Sequence, residues 1–292
     1  MMSDVLSGSA HKVWYLERRL FELLPEEDAE AWDNVGLLVG DPDADVERIA
    51  LALDPSVRAV QFAVSRGCNV LLTHHPVFLE PPRRLLRTMH RTWAPRRAQD
   101  DSIEGVEAAG VVMAAAREGV NLIAMHTNLD RSVHGRQLLP DALGLSRLDP
   151  EADATGFACG RPDGSVSDFL QVCSTSPTRL HDLASRCHEV FGRAPRVWGD
   201  PEQMIQVIGT CPGSGGSFLG EATRLGLDCL ICGETRYHAT RAAHEMGLAV
   251  IELGHDVSER FYTDVLRIVL RRIGVPADDI VLIDEEPGWW TP

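Results

Sequence analysis

The sequence is almost without lysine. Lys12 stands alone among 28 basic residues, the rest being arginine. Such a chain is poorly equipped for Schiff-base chemistry or for the phosphate-gripping lysine of Walker-type sites. Basic charge is scarce overall. The formal net charge of −15 disfavours long nucleic acids, whose phosphates require a basic footprint. One local patch, Arg83, Arg84, Arg87, Arg91, Arg96 and Arg97, reads as a solvated, partly helical surface segment. Long apolar runs are missing too. No stretch approaches the roughly 18 residues of a membrane span, and the N-terminal "MMSDVLSGSAHKVWYLERRL" has no signal-peptide core. The expectation is a soluble cytoplasmic protein without a membrane partner.

Paired cysteines are also lacking. There are seven, an odd number scattered through apolar runs, which reads as reduced thiols. Cys229 and Cys232 form a CxxC inside "LDCLIC". That segment reads as a buried strand, where residues three apart point to opposite faces. A structural role is therefore favoured over a metal or redox role.

The 292 residues suit one large or two medium domains, and 44% hydrophobic with 24% charged residues is enough for a sizeable core. Residues 11–24 place apolar side chains at helical spacing, giving an amphipathic helix that ends near Pro25. "RIALALD" (48–54), "SVRAVQFAVSRG" (56–67) and "CNVLLTHH" (68–75) read as strand, helix and strand. This βαβ unit implies a parallel sheet. Residues 79–103, rich in Arg and Pro, read as a long loop, a lid or a partly helical insertion. "GVVMAAAREG" (110–119) is a helix, and "NLIAMHTNLD" (121–130) a strand running into a loop. The Gly-, Asp- and Pro-rich stretch 149–168 looks like a boundary. A second α/β set then follows. It includes a helix with Pro177 near its start, a glycine loop Gly213–Gly216 opening another, a closing helix over "SERFYTDVLRIVLRRIG" and a last strand "DIVLIDEE".

Four strand ends carry groups that bind cations or move protons: His74-His75; His126 and Asp130; Glu234 and His238; His255 and Glu259. In open α/β sheets ligands bind beyond the carboxyl ends of the strands, so these ends are candidates to converge. On a regular strand His74 and His75 would face opposite ways. If the strand stops there, both imidazoles can turn into one cavity. Pro76 cannot continue a ladder and biases His75 towards an extended backbone. A lone His pair is more simply a hydrogen-bonded polar edge, but four such ends together favour metal. Mixed His and carboxylate donors suit a dinuclear hydrolytic site. His255 and Glu259, four apart, share a helical face. The glycine loop fits neither a Walker nor a Rossmann pattern, leaving anion binding or a tight packing turn. Asp33 and Asn34 cap a turn or face the site; capping is favoured.

The ordered set "WDNVGLLVG" (32–40), "LLTHHPVF" (71–78), "HTNLD" (126–130), "GSGG" (213–216), "GETRYH" (233–238) and "GHDVSE" (254–259) resembles the Nif-three-like family. These are the dinuclear-metal toroid proteins often labelled GTP cyclohydrolase 1 type 2 homologues. The resemblance implies an α/β fold of two interlaced lobes with mixed sheets, 1–148 and 149–292, residues 250–292 being candidates to return to the first. The metal site would lie between the lobes at the C-terminal ends of the strands. It also implies a homo-hexameric ring. By residue-wise carry-over, His74, His75, Asp130, His255 and Glu259 are metal ligands for two divalent ions, whether zinc, iron, manganese or nickel. His126 is a neighbouring partner or proton acceptor, and Glu234 and His238 line the cavity. Cys232 stands where the family often has Thr.

The function implied is a metal-dependent hydrolase in which a hydroxide bridging two ions attacks a small purine nucleotide such as GTP, with His126 or His238 moving the proton. Two alternatives are a phosphoesterase using the same ions and a non-enzymatic metal-binding ring protein with a regulatory or scaffold role.

Overall fold

The computed structural model describes residues 11–82, 85, 103–148 and 168–285. The arginine patch at 83–97, Cys159, most of the 79–103 insertion and the boundary proposed over 149–168 lie outside the described residues. The chain forms two compact units. Residues 1–129 with 262–292 make the first, and residues 130–261 the second. No described helix is long and apolar enough to cross a membrane.

The first unit is built on a sheet of β1 (Gly36–Val39), β2 (Ile49–Ala52), β3 (Val70–Thr73), β4 (Asn121–Ala124) and the chain's last strand β11 (Ile280–Leu282), in the order β1-β4-β3-β2-β11. β11, β2, β3 and β4 run parallel, and β1 is antiparallel at one edge. "IALA", "VLLT" and "NLIA" are buried along their whole length. That is why these strands read as continuous apolar runs and not as alternating ones: both faces of a parallel sheet are covered.

α1 (Val13–Phe21), α2 (Val57–Ser65) and α3 (Ile103–Glu118) accompany these strands. Ser56 caps α2 by accepting from Ala59 N at 3.0 Å, and Gly67 leaves the helix with φ 69°. Ala59, Val60 and Ala63 of α2 and Val111 and Ala115 of α3 pack with Ala50, Leu71 and Leu122 of the sheet.

The register has a direct consequence for the site. Ala52, Thr73 and Ala124 lie level across β2, β3 and β4. The ladder continues one step further, with His74 N on Ala52 O at 3.3 Å, His75 N on Leu53 O at 3.0 Å and Met125 N on Thr73 O at 3.0 Å. Asp54, His75 and His126, each two residues past its strand, therefore emerge side by side.

α4 (Thr127–Arg131) follows directly, so the "HTNLD" segment expected as loop is a short helix. In the second unit come α5 (Val133–Leu143), β5 (Ser146–Arg147), β6 (Gln171–Arg179), α6 (Leu180–Phe191), β7 (Arg196–Trp198), β8 (Met204–Ser214), α7 (Leu219–Arg224), β9 (Cys229–Glu234), α8 (Tyr237–Glu245), β10 (Ala249–Glu252) and α9 (His255–Glu259). The sheet order is β5-β6-β8-β9-β10-β7. β8, β9 and β10 are parallel, and β6, β5 and β7 join antiparallel. The α/β class with mixed sheets is thus as expected.

Pro177 lies inside β6, not at a helix start, and a register shift of the β6–β8 pairing falls between Ser174 and Thr178. A proline lacks the N–H a regular ladder would use there. The segment expected as one closing helix is two, α9 and α10 (Tyr262–Arg272). α10 rejoins the first unit and packs against β2.

The six described cysteines are free and buried. Cys232 packs with Cys211, Leu230 and Val250, and burial pushes its thiol, like that of Cys229, far above the usual range. Such thiols are poor nucleophiles and poor ligands, which supports the structural reading of the CxxC.

Candidate metal sites

Three imidazoles gather at the carboxyl edge of the first unit's sheet. One ring nitrogen from each of His74, His75 and His126 lies within 4.8 Å of those of the other two. The sequence puzzle of adjacent histidines is resolved by the end of β3. Thr73 Oγ1 donates to the carbonyl of His75 at 2.7 Å, curling the backbone so that the two rings sit at 4.8 Å and 49° instead of on opposite faces.

Each ring is oriented by an acceptor on Nδ1. His74 Nδ1 donates to Met125 O at 3.1 Å, and its fully buried ring stacks on Tyr262 at 4.2 Å. His75 Nδ1 meets Asp54 Oδ1 at 2.7 Å, and His126 Nδ1 meets Asp33 Oδ1 at 2.8 Å. A carbonyl or carboxylate can only accept, so Nδ1 carries the hydrogen in all three and Nε2 is the lone-pair nitrogen. Carboxylate or carbonyl behind histidine is how metal-ligating imidazoles are fixed.

Asp33 does more than cap. Its side chain, fully enclosed, also accepts from Asn34 N at 2.8 Å, Thr127 N at 3.0 Å and Thr127 Oγ1. Burial works to raise its pKa, but the bonds and charge from His126 together with the Thr127 bonds win and hold the carboxyl well below the usual range. It thereby ties "WDN" to "HTNLD". Trp32 beside it is 57% exposed, its ring edge-on to His126 at 6.1 Å.

The second unit carries a set of opposite character. Gly254 opens α9 at φ 100° and delivers His255 to two carboxylates. His255 Nδ1 sits 3.0 Å from both oxygens of Glu234 at the end of β9. Its Nε2 lies 3.1 Å from Glu259 Oε2, one turn along the same helix. Hydrogen bonds to Glu234 and Glu259 push the His255 pKa up to about 10 against the cost of burial. The imidazolium thus donates from Nδ1 to Glu234 and from Nε2 to Glu259. The Cys211 thiol, raised first by burial, is pushed further by Cys232, Asp130, Glu259 and Glu234. Asp130 sits in α4, and its charge is one of those that act on Cys211.

The glycine loop serves this set by packing. Gly213 has φ +65° and a Cβ there would collide with Glu259 Oε1, while a Cβ on Gly233 would lie 2.5 Å from Gly213 O. Gly213 N also donates to Ser258 Oγ at 2.9 Å. The glycines let strand ends and α9 approach, which favours the packing turn over an anion cradle. Glu252, buried at the end of β10, steadies the neighbouring loop. It accepts from Thr235 N at 2.8 Å, Thr235 Oγ1 at 2.7 Å, Trp198 Nε1 at 3.1 Å and Arg196 Nη2 at 2.7 Å.

Of the residues singled out from sequence, the structure groups His74, His75 and His126 in the first unit, and Glu234, His255 and Glu259 in the second. His238 lies on the exposed side of α8 with its ring edge-on to Tyr237 at 5.2 Å. Asp54, Glu252 and Tyr262 were not singled out. Asp54 carried one usable signal, since it stands at the same offset beyond β2 as His75 beyond β3 and His126 beyond β4.

Imidazole and carboxylate donors in these numbers fit a divalent cation such as zinc, iron, manganese or nickel. Within each unit the rings are locked by acceptors, a geometry that could hold a metal ion.

Known proteins resemble this chain in sequence and in fold. The family profile described as Duf34/NIF3 (NGG1p interacting factor 3) matches residues 11–285. A protein of Clostridium acetobutylicum named GTP cyclohydrolase 1 type 2 homolog is 31% identical over 228 residues, covering 77% of this chain and 77% of its own length. One of the same name from Streptomyces coelicolor is 30% identical over 243 residues, 81% of this chain and 78% of its own. Among solved structures, the Staphylococcus aureus hypothetical protein SA1388 superposes with a TM-score of 0.76 at 22% identity, covering 96% of this chain and 99% of that one. Reduced HcgD from Methanocaldococcus jannaschii gives 0.72 at 21%, covering 94% and 98%. At these identities the structural likenesses establish the fold.

Proposed function

The chain belongs to the DUF34/NIF3 family, and for it we propose a protein that holds two divalent metal ions and uses them to hydrolyse a purine nucleotide. The proposed ligands are His74, His75, Asp130, His255 and Glu259. The single observation that carries this reading is the trio of imidazoles whose ring nitrogens lie within 4.8 Å of one another, each with Nδ1 engaged.

Ions bound by these donors supply Lewis acidity, lowering the pKa of water and polarising an electrophilic carbon or phosphorus. The protein's own groups do the rest. Asp54 and the Met125 carbonyl keep His75 and His74 in the ligating tautomer. His126, backed by Asp33, accepts the proton of the attacking water and returns it to the leaving group. Glu234 orients His255, which must shed a proton before it can ligate. The nucleotide as substrate rests on the names of the relatives. The homo-hexameric ring and the cytoplasmic location complete the proposal.

The test is elemental analysis of purified protein, followed by a nucleotide panel with and without chelator, with light scattering for the assembly. Two bound ions per chain, turnover of GTP lost on chelation and restored by one metal are the expected results. Stable metal retention with no turnover of any nucleotide would replace the hydrolase with a non-catalytic metal-binding protein, and metal-free native protein would remove both.

A further inference from the structure

The Asp54 carboxylate behind His75 is itself held from the other end of the chain. β11 pairs in parallel with β2, from Ile280 opposite Ile49 to Leu282 opposite Leu51. The pairing runs one step further, with Ile283 N on Leu51 O at 2.9 Å. Beyond that point a side chain takes over from the strand. Glu285 Oε2 accepts from Leu53 N at 2.5 Å and Oε1 from Asp54 N at 3.1 Å, across 232 and 231 residues of sequence.

Both oxygens of one carboxylate thus grip two successive amides at the point where β2 ends. These amides fix the backbone from which Asp54 reaches His75 Nδ1 at 2.7 Å. Glu285 lies at an exposed edge of the unit, yet both its carboxylate oxygens are turned inward onto amides, and the partial desolvation this brings pushes the carboxyl up against the opposing pull of the two amides. The neighbouring Val281 and Ile283 pack against the core of the first unit, so the segment that carries Glu285 is anchored.

We propose that Glu285 is a positioning residue for His75, acting through Asp54: by clamping the amides of Leu53 and Asp54 it sets the direction of the carboxylate that orients the imidazole. The inference extends the metal-binding reading and rests on it in one arm of its test only.

The experiment compares full-length wild type, Glu285→Ala, Glu285→Gln, Asp54→Ala and the Asp54→Ala/Glu285→Ala double variant. The first readout needs no metal: long-range ¹⁵N–¹H correlation of the His75 ring, which reports its tautomer. The second is zinc affinity by competition with a chromogenic chelator. Glu285→Ala should lower the Nδ1–H population of His75 and weaken zinc binding about 10-fold, the lower end of the cost of losing an orienting partner. Glu285→Gln, which keeps one acceptor oxygen, should fall between it and wild type. The double variant should be no worse than Asp54→Ala alone, because both act through one path.

An unchanged His75 spectrum and zinc affinity in Glu285→Ala, or effects that add in full in the double variant, would overturn the proposal. If Glu285→Ala does not fold, Glu285→Gln decides by the same readouts. If wild type binds no zinc, the metal reading falls, while the His75 spectrum still decides the role of Glu285.

Discussion

The two donor sets solve the same problem in opposite ways. In the first unit three histidines present lone-pair nitrogens, and their charge partners, Asp54 and Asp33, sit behind them on Nδ1. In the second, two carboxylates flank His255 on both of its nitrogens, so the imidazole is held as a cation. On the proposed reading, the first set would receive a borderline ion with no rearrangement of hydrogens. The second stores a proton that an ion must displace. One edge is pre-organised by orientation, the other by charge.

The largest test of this contrast is His75→Ala. It removes a ligand from the imidazole set and should weaken cation binding at least about 100-fold, the upper end of what even outer partners cost. Calorimetric titration checks it, and an unchanged affinity would dissolve the distinction between the sets.

Gly213→Ala strikes the carboxylate side through packing. Its φ of +65° and the collision with Glu259 should destabilise the metal-free protein by about 2 kcal/mol. Urea denaturation measures this, and a neutral result would mean that Glu259 can move aside.

Asp33→Ala removes the acceptor behind His126, the proposed proton acceptor, and should cost about 10-fold in turnover without altering the metal stoichiometry, which elemental analysis reads.

The pH dependence sharpens the comparison further. The His255 pKa is raised from 6.5 to about 10, so its contribution to folding is fully present below 6.5 and fades as pH rises through about 10. Its side chain is 44% exposed, so solvent screening keeps the effect small. The denaturation midpoint of metal-free protein should fall over that window, and His255→Gln should flatten the fall. Cation affinity should climb with pH over the same range, since a proton leaves as the ion enters. The smallest effect is expected from His238→Ala. On the exposed side of α8, it should leave metal affinity unchanged and shift stability by no more than about 0.5 kcal/mol.

Much of the fold was legible because the strands of the first unit are buried on both faces and so appear as uninterrupted apolar runs. α2 announced itself with Ser56 before it and Gly67 after it. The two-residue β5 and three-residue β7 offered too little pattern to find. α5 was passed over because Pro140 sits inside it, although Ser132, which accepts from Gly135 N at 3.0 Å, and Gly144 cap it properly. The break between α9 and α10 left no mark, because the residues around Arg260 and Phe261 are ordinary helix formers. For the site, residue type was enough to mark histidines and acids at strand ends, but not to say which acid serves which ring. Asp54 looked like the polar end of a strand, and His238 like a cavity-lining residue, whereas it lies on the exposed side of α8.

What the amino-acid sequence determined by itself is the inventory: alternating strands and helices, glycines where the backbone must turn, and imidazoles and carboxylates placed just past strand termini. Those follow from hydrophobic periodicity and side-chain chemistry, which act over a few residues. Partnership was decided only by tertiary structure. Parallel register brought positions 54, 75 and 126 level, the return of β11 carried Glu285 to the end of β2, and the close approach of Gly213 set Glu259 in place. Hydrogen bonds act over about 3 Å, and only the folded chain brings atoms separated by up to 232 residues within that reach.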